Sequence, residues 1–357
     1  MTRIAIPVTI PFSSGRGAAT PPPVTPALET LLLPFSKGGL SVPKRSLFLG
    51  AEPHPDLKTW PQVTGWQPWK AEAEAWRKAG YTAVDEPEGT WPVVLVLPGK
   101  TKDETLFSFA RAFDLLEDGG LLVAALSNTS GASRYEQNLA KAAGHIDSIQ
   151  KNKCRVFYAR KTAEWDAGTL DEWRKLGEIR TAEGSDLLTQ AGIFSASHID
   201  PGSKLLADHL PANIRGKVAD LGAGWGYLSR QLLEKCSGIQ KLDLYEADAR
   251  ALTLAKRNLP ETAAEVRYLW HDVTKGIDGI YHTIVMNPPF HAGQRYDADL
   301  GISFIRMATG ALRGGGQLFI VANRQLPYER ELEALGLVWR KPVEDATFKL
   351  LFAEKRL

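Results

Sequence analysis

Val218-Ala219-Asp220-Leu221-Gly222-Ala223-Gly224-Trp225-Gly226 reads as a buried strand that runs into a glycine-rich turn, and the rest of the 357-residue chain is legible outward from it. The residues that follow, 227–235, carry apolar side chains on one face at helical spacing. A strand, a turn and a helix in that order place backbone N–H groups and the positive end of the helix beside a nucleotide-like ligand. Glycine in the turn lets backbone approach where a side chain would collide.

The spacing narrows the ligand. A dinucleotide fingerprint is GxGxxG and cradles a pyrophosphate, whereas this turn is GxGxG with Asp220 two residues before the first glycine. A carboxylate there repels a pyrophosphate and suits a cation such as the amino end and sulfonium of S-adenosyl-L-methionine. Leu242-Asp243-Leu244-Tyr245-Glu246 reads as the second strand, with Glu246 at its tip where a carboxylate can take both hydroxyls of a ribose. Trp270-His271-Asp272 closes the third, and Asp272 can accept from an adenine amino group. Taken singly, each acid could equally terminate a strand or cap a helix.

The next motif is the corner at which the chemistry is expected. Thr283 to Met286 is an apolar strand that stops at Asn287-Pro288-Pro289-Phe290, followed by His291. Each proline fixes its own φ, lacks an N–H and holds the preceding residue extended, so the carbonyls of Asn287 and Pro288 are rigid acceptors. The Asn287 side-chain oxygen and the Pro288 carbonyl can therefore grip the two hydrogens of an NH2 group on a planar ring or amide. Phe290 supplies a face for stacking, worth roughly 1–3 kcal/mol for a base. No general base is required, because the proton is acidified only after the nitrogen is alkylated.

Composition sets the frame. At ~100–200 residues per domain the length favours two domains. A formal net charge of +2 permits an anionic partner without demanding one. The two cysteines, Cys154 and Cys236, show neither a disulfide framework nor zinc-ligand spacing, so no metal is expected and a reducing cytoplasm fits. Residues 1–12 carry a short apolar stretch broken by Pro7 and Pro11, which is neither a signal peptide nor a spanning helix. A cytoplasmic protein with no membrane partner, acting as a monomer, is the expectation.

Along the chain, residues 1–45 are rich in Pro and Gly and are expected to be irregular, although Leu31-Leu32-Leu33 should bury itself. Ser46 to Leu49 reads as a strand ending in Gly50. Trp60, Trp66, Trp69 and Trp76 follow; they could bind nucleic acid but fit core packing better. Val93 to Leu97 is a strand, Leu106 to Leu116 a one-faced helix stopped by Gly119-Gly120, and Leu121 to Leu126 another strand. The same order recurs after Thr283. A shift of 196 residues lays Ala112 on Ala308, Leu116 on Leu312, Gly119-Gly120 on Gly315-Gly316 and Leu122 on Leu318. The chain reads as two copies of one α/β domain: 1–165, a linker over 166–184, and 185–357. Only the second copy has the glycine turn. The first has Gly50-Ala51-Glu52-Pro53 in its place.

Asp220 to Gly226, Glu246, Asp272 and Asn287 to Phe290 resemble the successive motifs of class I S-adenosylmethionine-dependent methyltransferases that modify exocyclic or amide nitrogens. Gly192-Ile193-Phe194-Ser195, Asp200-Pro201-Gly202-Ser203, Ile320-Val321-Ala322-Asn323 and Leu326-Pro327-Tyr328 narrow the resemblance to bacterial small-subunit (16S) ribosomal RNA guanine-N2 methyltransferases. The similarity is dense from about residue 185 onward and looser over 85–161. It implies two tandem doubly wound Rossmann-like α/β domains with a degenerate first copy that docks RNA, and a last hairpin in each sheet that is antiparallel. It further implies that Asp220, Gly222, Gly224 and Gly226 line the methionine part of the cofactor, that Glu246 holds its ribose and Asp272 its adenine, and that Ala223, Ala247, Val273 and Asn287 also meet the cofactor. Asn287, Pro288 and Pro289 would hold the guanine amine beside the cofactor, with Phe194, Phe290 and His291 against the base. The chain departs from the family pattern at Ala223 and Trp225, where Cys or Gly is common, and at Glu246, where Asp is. Rival acceptors that the same corner serves are a large-subunit rRNA guanine, an adenine N6 and a protein glutamine N5; a non-catalytic RNA-binding assembly factor is the rival outside enzymes.

Overall fold

In the computed structural model, which describes residues 24–289, 291–292, 295–296 and 298–357, the chain forms two seven-stranded sheets with the same strand order. The first contains β1 (Ser46–Leu49), β2 (Val63–Trp66), β3 (Thr82–Val84), β4 (Trp91–Val96), β5 (Leu116–Ser127), β6 (Asp147–Lys151) and β7 (Cys154–Arg160), in the order β3-β2-β1-β4-β5-β7-β6. A small pair, β8 (Arg180–Thr181) with β9 (Leu188–Thr189), precedes the second sheet. That sheet holds β10 (Arg215–Leu221), β11 (Gly238–Glu246), β12 (Glu265–Trp270) and β13 (Tyr281–Met286). After a separate short pair, β14 (His291–Ala292) with β15 (Arg295–Tyr296), come β16 (Leu312–Asn323), β17 (Val338–Glu344) and β18 (Phe348–Glu354), giving the order β12-β11-β10-β13-β16-β18-β17. Pairing is parallel except around β7 and β18, which run antiparallel to both neighbours, as expected of the final hairpin.

Helices cover both faces, which is why the central strands are continuously apolar rather than alternating. In chain order they are α1 (Pro26–Leu31), α2 (Leu33–Ser36), α3 (Lys70–Lys78), α4 (Lys102–Asp114), α5 (Ala132–Ala143) and α6 (Ala167–Leu176). The second half adds α7 (Pro201–His209), α8 (Tyr227–Lys235), α9 (Ala249–Asn258), α10 (Ala298–Ala311) and α11 (Tyr328–Ala334). Val218 to Leu221 are all buried, with Val218 packed on the α7–α9 side and Ala219 and Leu221 on the α10 side. In each sheet the chain order reverses at the first strand, β1 or β10, and ligands in such sheets bind beyond the carboxyl ends of the strands at that switch.

The duplication is visible in hydrogen bonds as well as in strand order. Gly50 and Gly222 have φ of +74° and +73°, and each donates, together with the residue after it, to one carbonyl on the neighbouring strand, Trp66 or Tyr245. Lys161 Nζ donates to the carbonyls of Phe113 and Leu116; Lys355 Nζ donates to those of Thr309 and Leu312.

Several local expectations differ from the structure. The segment expected to link the copies contains α6, whose Leu170 and Trp173 are buried in the first core, so that core extends through Leu176. The Pro-rich start is irregular only in part. Thr25 caps α1, Pro26 opens it without needing a donor, and Leu28, Leu31 and Leu32 are buried against the first sheet. α4 ends at Asp114, and Gly119-Gly120 lie within β5 instead of stopping the helix. Trp60 and Trp76 are core residues, whereas Trp69 is 42% exposed. Among the described residues no helix is long and apolar enough to cross a membrane, and no cluster could hold a metal ion.

Candidate active site

The turn after β10 is built from three left-handed glycines with different duties. Gly226, at φ +90°, caps α8, and a Cβ there would meet Leu259 Cδ1 at 2.8 Å and Ala255 Cβ at 3.1 Å, so helix packing demands glycine. A Cβ on Gly224, at φ +54°, would meet nothing within 4 Å, so that residue opens onto free space. The N–H of Gly224 donates to Glu246 Oε2 at 2.7 Å, and that of Asp248 donates to Glu246 Oε1 at 2.8 Å. The turn and the tip of β11 are thereby tied together through one carboxylate.

Asp220 lies one strand inward and is fully buried. Ser229 Oγ donates to its Oδ2 at 2.7 Å, while Oδ1 is buried with no partner. Burial lifts the pKa of Asp220 to about 7, with the nearby Glu246 charge adding to the rise. Burial lifts that of Glu246 to about 7 as well, against the lowering effect of its two backbone donors. Among the described residues neither carboxylate is paired with a cation. Two desolvated acids, an orphaned acceptor and an open glycine beside them fit a ligand that carries positive charge and hydroxyl donors, which is what S-adenosyl-L-methionine presents.

The corner after β13 adjoins this turn because β13 pairs with β10, Leu221 opposite Met286. Asn287 Nδ2 donates to Asp200 Oδ2 at 2.9 Å and to Ser203 Oγ at 2.8 Å. Both hydrogens of the amide are directed to those partners, which leaves Oδ1 as the acceptor for a guest. Asp200 is itself the cap of α7, accepting from Ser203 N–H at 2.7 Å. A cleft lies between the two motifs, lined by Phe194, Asp200, Ser203, Gly222, Gly224 and Asn287. Pro288 is buried and Pro289 exposed; Phe290 lies outside the described residues, as does the side chain of His291, whose backbone forms β14.

Phe194 is 55% exposed at the mouth of the cleft and is fixed through its carbonyl, which accepts from Trp225 Nε1 at 2.9 Å. Trp225 lines the inner end of the cleft. It is also buried against Ile193, Ala251 and Leu254, so the bulky residue in the glycine turn anchors the Gly192–Ser195 segment. Ser195, at φ +52°, holds the next turn by donating Oγ to the His198 carbonyl.

Other expected contacts sit less directly. Val273 is 2% exposed, with its side chain in the domain core and its carbonyl taken by Gly276, so its backbone N–H is what it can offer a cofactor. Asp272 Oδ1 accepts from Thr274 N–H and Oγ1 as a helix cap. Ala247 presents its carbonyl to Lys70 N–H and Trp270 Nε1. In the sequence Asp200 and Ser203 stand only as part of a family motif, with no site role. Asp-Pro-Gly-Ser signals a capped helix, but nothing local indicates that its carboxylate reaches an amide 87 residues downstream.

Residues 184–351 match the methyltransferase small domain family. A ribosomal RNA small subunit methyltransferase C from Psychromonas ingrahamii is 30% identical over 68% of this chain and 70% of its own length; the one from Erwinia tasmaniensis is 33% identical over 72% and 73%. The chain belongs to the ribosomal RNA small subunit methyltransferase C family. It is a methyltransferase whose cofactor is S-adenosyl-L-methionine. A solved member, the Thermus thermophilus 16S rRNA N2 G1207 methyltransferase in complex with AdoMet and guanosine, covers 93% of this chain and 92% of its own. It superposes with a TM-score of 0.75 at 26% identity. Both α/β domains therefore belong to the tandem methyltransferase architecture of the family.

Proposed function

We propose that the C-terminal domain transfers the methyl group of S-adenosyl-L-methionine to the exocyclic N2 of a guanine in 16S ribosomal RNA. The observation that carries this is the Asn287 amide, pinned by Asp200 and Ser203 so that its oxygen is the group offered beside the glycine turn. The relative solved with guanosine modifies G1207 of its own 16S rRNA, and the equivalent nucleotide is the first to examine.

The bound cofactor supplies an electrophilic methyl on a cationic sulfur. Glu246, held by Gly224 and Asp248 N–H groups, takes the ribose hydroxyls, and Asp220 with the backbone of Gly222 and Gly224 orients the methionine end. Asn287 Oδ1 and the Pro288 carbonyl accept the two N2 hydrogens and turn the nitrogen lone pair toward the glycine turn. Phe194 and Phe290 sandwich the base. The N2 proton leaves to solvent after the new N–C bond has formed, so no side chain acts as a base in the rate-limiting step. Catalysis is then chiefly positioning, which in favourable cases is worth ~7–11 kcal/mol. A guanine in a helix hides N2 in the minor groove, so the target is unpaired or flipped. The first domain serves as the RNA-docking partner, and the enzyme acts as a monomer.

Mass-spectrometric mapping of rRNA from cells with and without the gene tests the acceptor. Loss of one N2-methylguanosine from 16S rRNA is expected; loss of a methylated base from 23S rRNA instead would overturn the assignment. For the corner itself, Asn287→Ala is expected to bind cofactor normally and to transfer no methyl.

A further inference from the structure

The loop that carries Glu246 is held at both ends by the first domain. Trp69 bridges Asp248; Lys70 N–H donates to the Ala247 carbonyl at 2.9 Å and Ala249 N–H to that of Pro68 at 3.0 Å, a short ladder across the two domains. Trp270 Nε1 donates to the same two carbonyls, at 3.1 Å and 2.8 Å. Asp248, 2% exposed, binds Arg250 through both oxygens, Nε to Oδ1 at 3.0 Å and Nη2 to Oδ2 at 2.7 Å. Arg250 then donates Nη1 to Glu104 Oε1 at 2.6 Å, and Glu104 stands in the first turn of α4.

Glu104 also packs beside the segment that leads into the cleft wall at Phe194. Its carboxylate occupies the space that a Cβ would need at Gly192, two residues before Phe194, and at Gly99. Gly99 follows β4 in the first copy where Pro289 follows β13 in the second. In the first domain the position of the acceptor corner is thus filled by a carboxylate that reaches into the neighbouring domain's site. The side chains of Glu104 and Arg250 are only 13% and 14% exposed, so removing one partner leaves the other desolvated and uncompensated.

We infer that Glu104 and Arg250 are positioning residues through which the first domain sets the cofactor affinity of the second. The chain of contacts runs from Glu104 through Arg250 to Asp248, whose N–H holds Glu246 Oε1, so the inference rests on the reading that Glu246 takes the ribose. Loss of the Glu104 charge frees Arg250, loosens Asp248 and lets the Glu246 carboxylate rotate off its ligand.

The test uses the full chain, calorimetric titration with S-adenosylhomocysteine, steady-state transfer to rRNA and a thermal midpoint for each variant. Glu104→Gln keeps the shape and is expected to weaken cofactor affinity roughly ten-fold, a size common for residues that couple sites without touching ligand. KM for S-adenosyl-L-methionine should rise with it, while kcat at saturating cofactor and KM for rRNA stay within about two-fold. Arg250→Lys keeps the charge but cannot hold Asp248 and Glu104 together, and should lose affinity similarly; the double variant should bind no worse than the weaker single one. Glu246→Gln is the reference. If it binds weakly and Glu104→Gln binds like the parent, the relay is overturned and the ribose assignment stands. If Glu246→Gln also binds like the parent, both fall. A lower thermal midpoint with unchanged affinity would overturn the relay as well, because a merely structural contact moves stability alone.

Discussion

Replacing Asp200 by Ser isolates the orientation of the Asn287 amide from everything else Asp200 does. Ser caps a helix about as well as Asp, so α7 retains the bond from Ser203 N–H. Its hydroxyl, sitting at the cap, lacks the reach to hold Asn287 Nδ2 as well, and the 2.9 Å bond to a carboxylate is lost. Hydrogen bonds to charged groups contribute about 1.5–3 kcal/mol, and that preference is what keeps Nδ2 toward α7 and Oδ1 toward the guest. When the amide turns over, two donors face each other and the guanine amine is no longer gripped. At about 1.4 kcal/mol per decade, kcat should fall roughly 10- to 150-fold. KM for S-adenosyl-L-methionine should be unchanged, since Asp200 does not contact Glu246 or the glycine turn's N–H groups. Asp200→Asn offers an oxygen in the same place without the charge, so its loss should be smaller. Single-turnover transfer of tritiated methyl to 16S rRNA at saturating cofactor reads the difference. A kcat for Asp200→Ser within two-fold of the parent, or an Asp200→Asn enzyme slower than Asp200→Ser, would refute the reasoning.

Three further outcomes follow from the site. Asp220 and Glu246 have folded-state pKa values of about 7 against ordinary values of 3.8 and 4.5, so the folded protein holds protons that the unfolded chain releases. Their contribution to stability is therefore present below pH ~4 and is lost as pH rises toward about 7, while cofactor affinity strengthens through the same upper range as Glu246 ionises; chemical denaturation and calorimetry at pH 5–8 check both, and Glu246→Gln should flatten the affinity profile. Gly224→Ala should cost about 1–2 kcal/mol of stability through its left-handed backbone and raise Kd for the cofactor, because its methyl enters the open cleft, whereas Gly226→Ala should lower Tm further by also colliding with Leu259 and Ala255. Trp225→Phe removes the bond to the Phe194 carbonyl, worth about 0.5–1.5 kcal/mol, and should raise KM for rRNA a few-fold with little change in KM for cofactor, measured in the same assay.

Legibility tracked the range of the interactions. The glycine turn announced itself because left-handed backbone at Gly222, Gly224 and Gly226 restricts the residue type at each position, whatever the remote context. The duplication was visible because the same local pattern of strand, helix and glycine pair was written twice, and β5 and β16 begin 196 residues apart as the shift implied. Trp225 was legible only as a departure from the family pattern, because side-chain size says nothing of direction. Its packing against Ile193 and Ala251, and its bond to the Phe194 carbonyl, show only in the folded chain. That the Val273 side chain points into the core was likewise not legible, since a place next to an acid in sequence does not decide which face of the chain is buried. The α6 segment reads as polar, and its helix is recognisable chiefly by Leu170 and Trp173 filling the first core.

By itself the sequence determined two α/β copies, one complete cofactor turn and an acceptor corner, because each depends on backbone restrictions set by glycine, proline and apolar runs within a dozen residues. Tertiary structure alone decided that Asp200 and Ser203 hold the Asn287 amide nitrogen, leaving its oxygen free, and that Glu104 of the first domain reaches Arg250 beside the Glu246 loop of the second. Those relations join residues 84 to 146 positions apart. A charge or an amide gives no local sign of its partner, so only the packed chain can pair them.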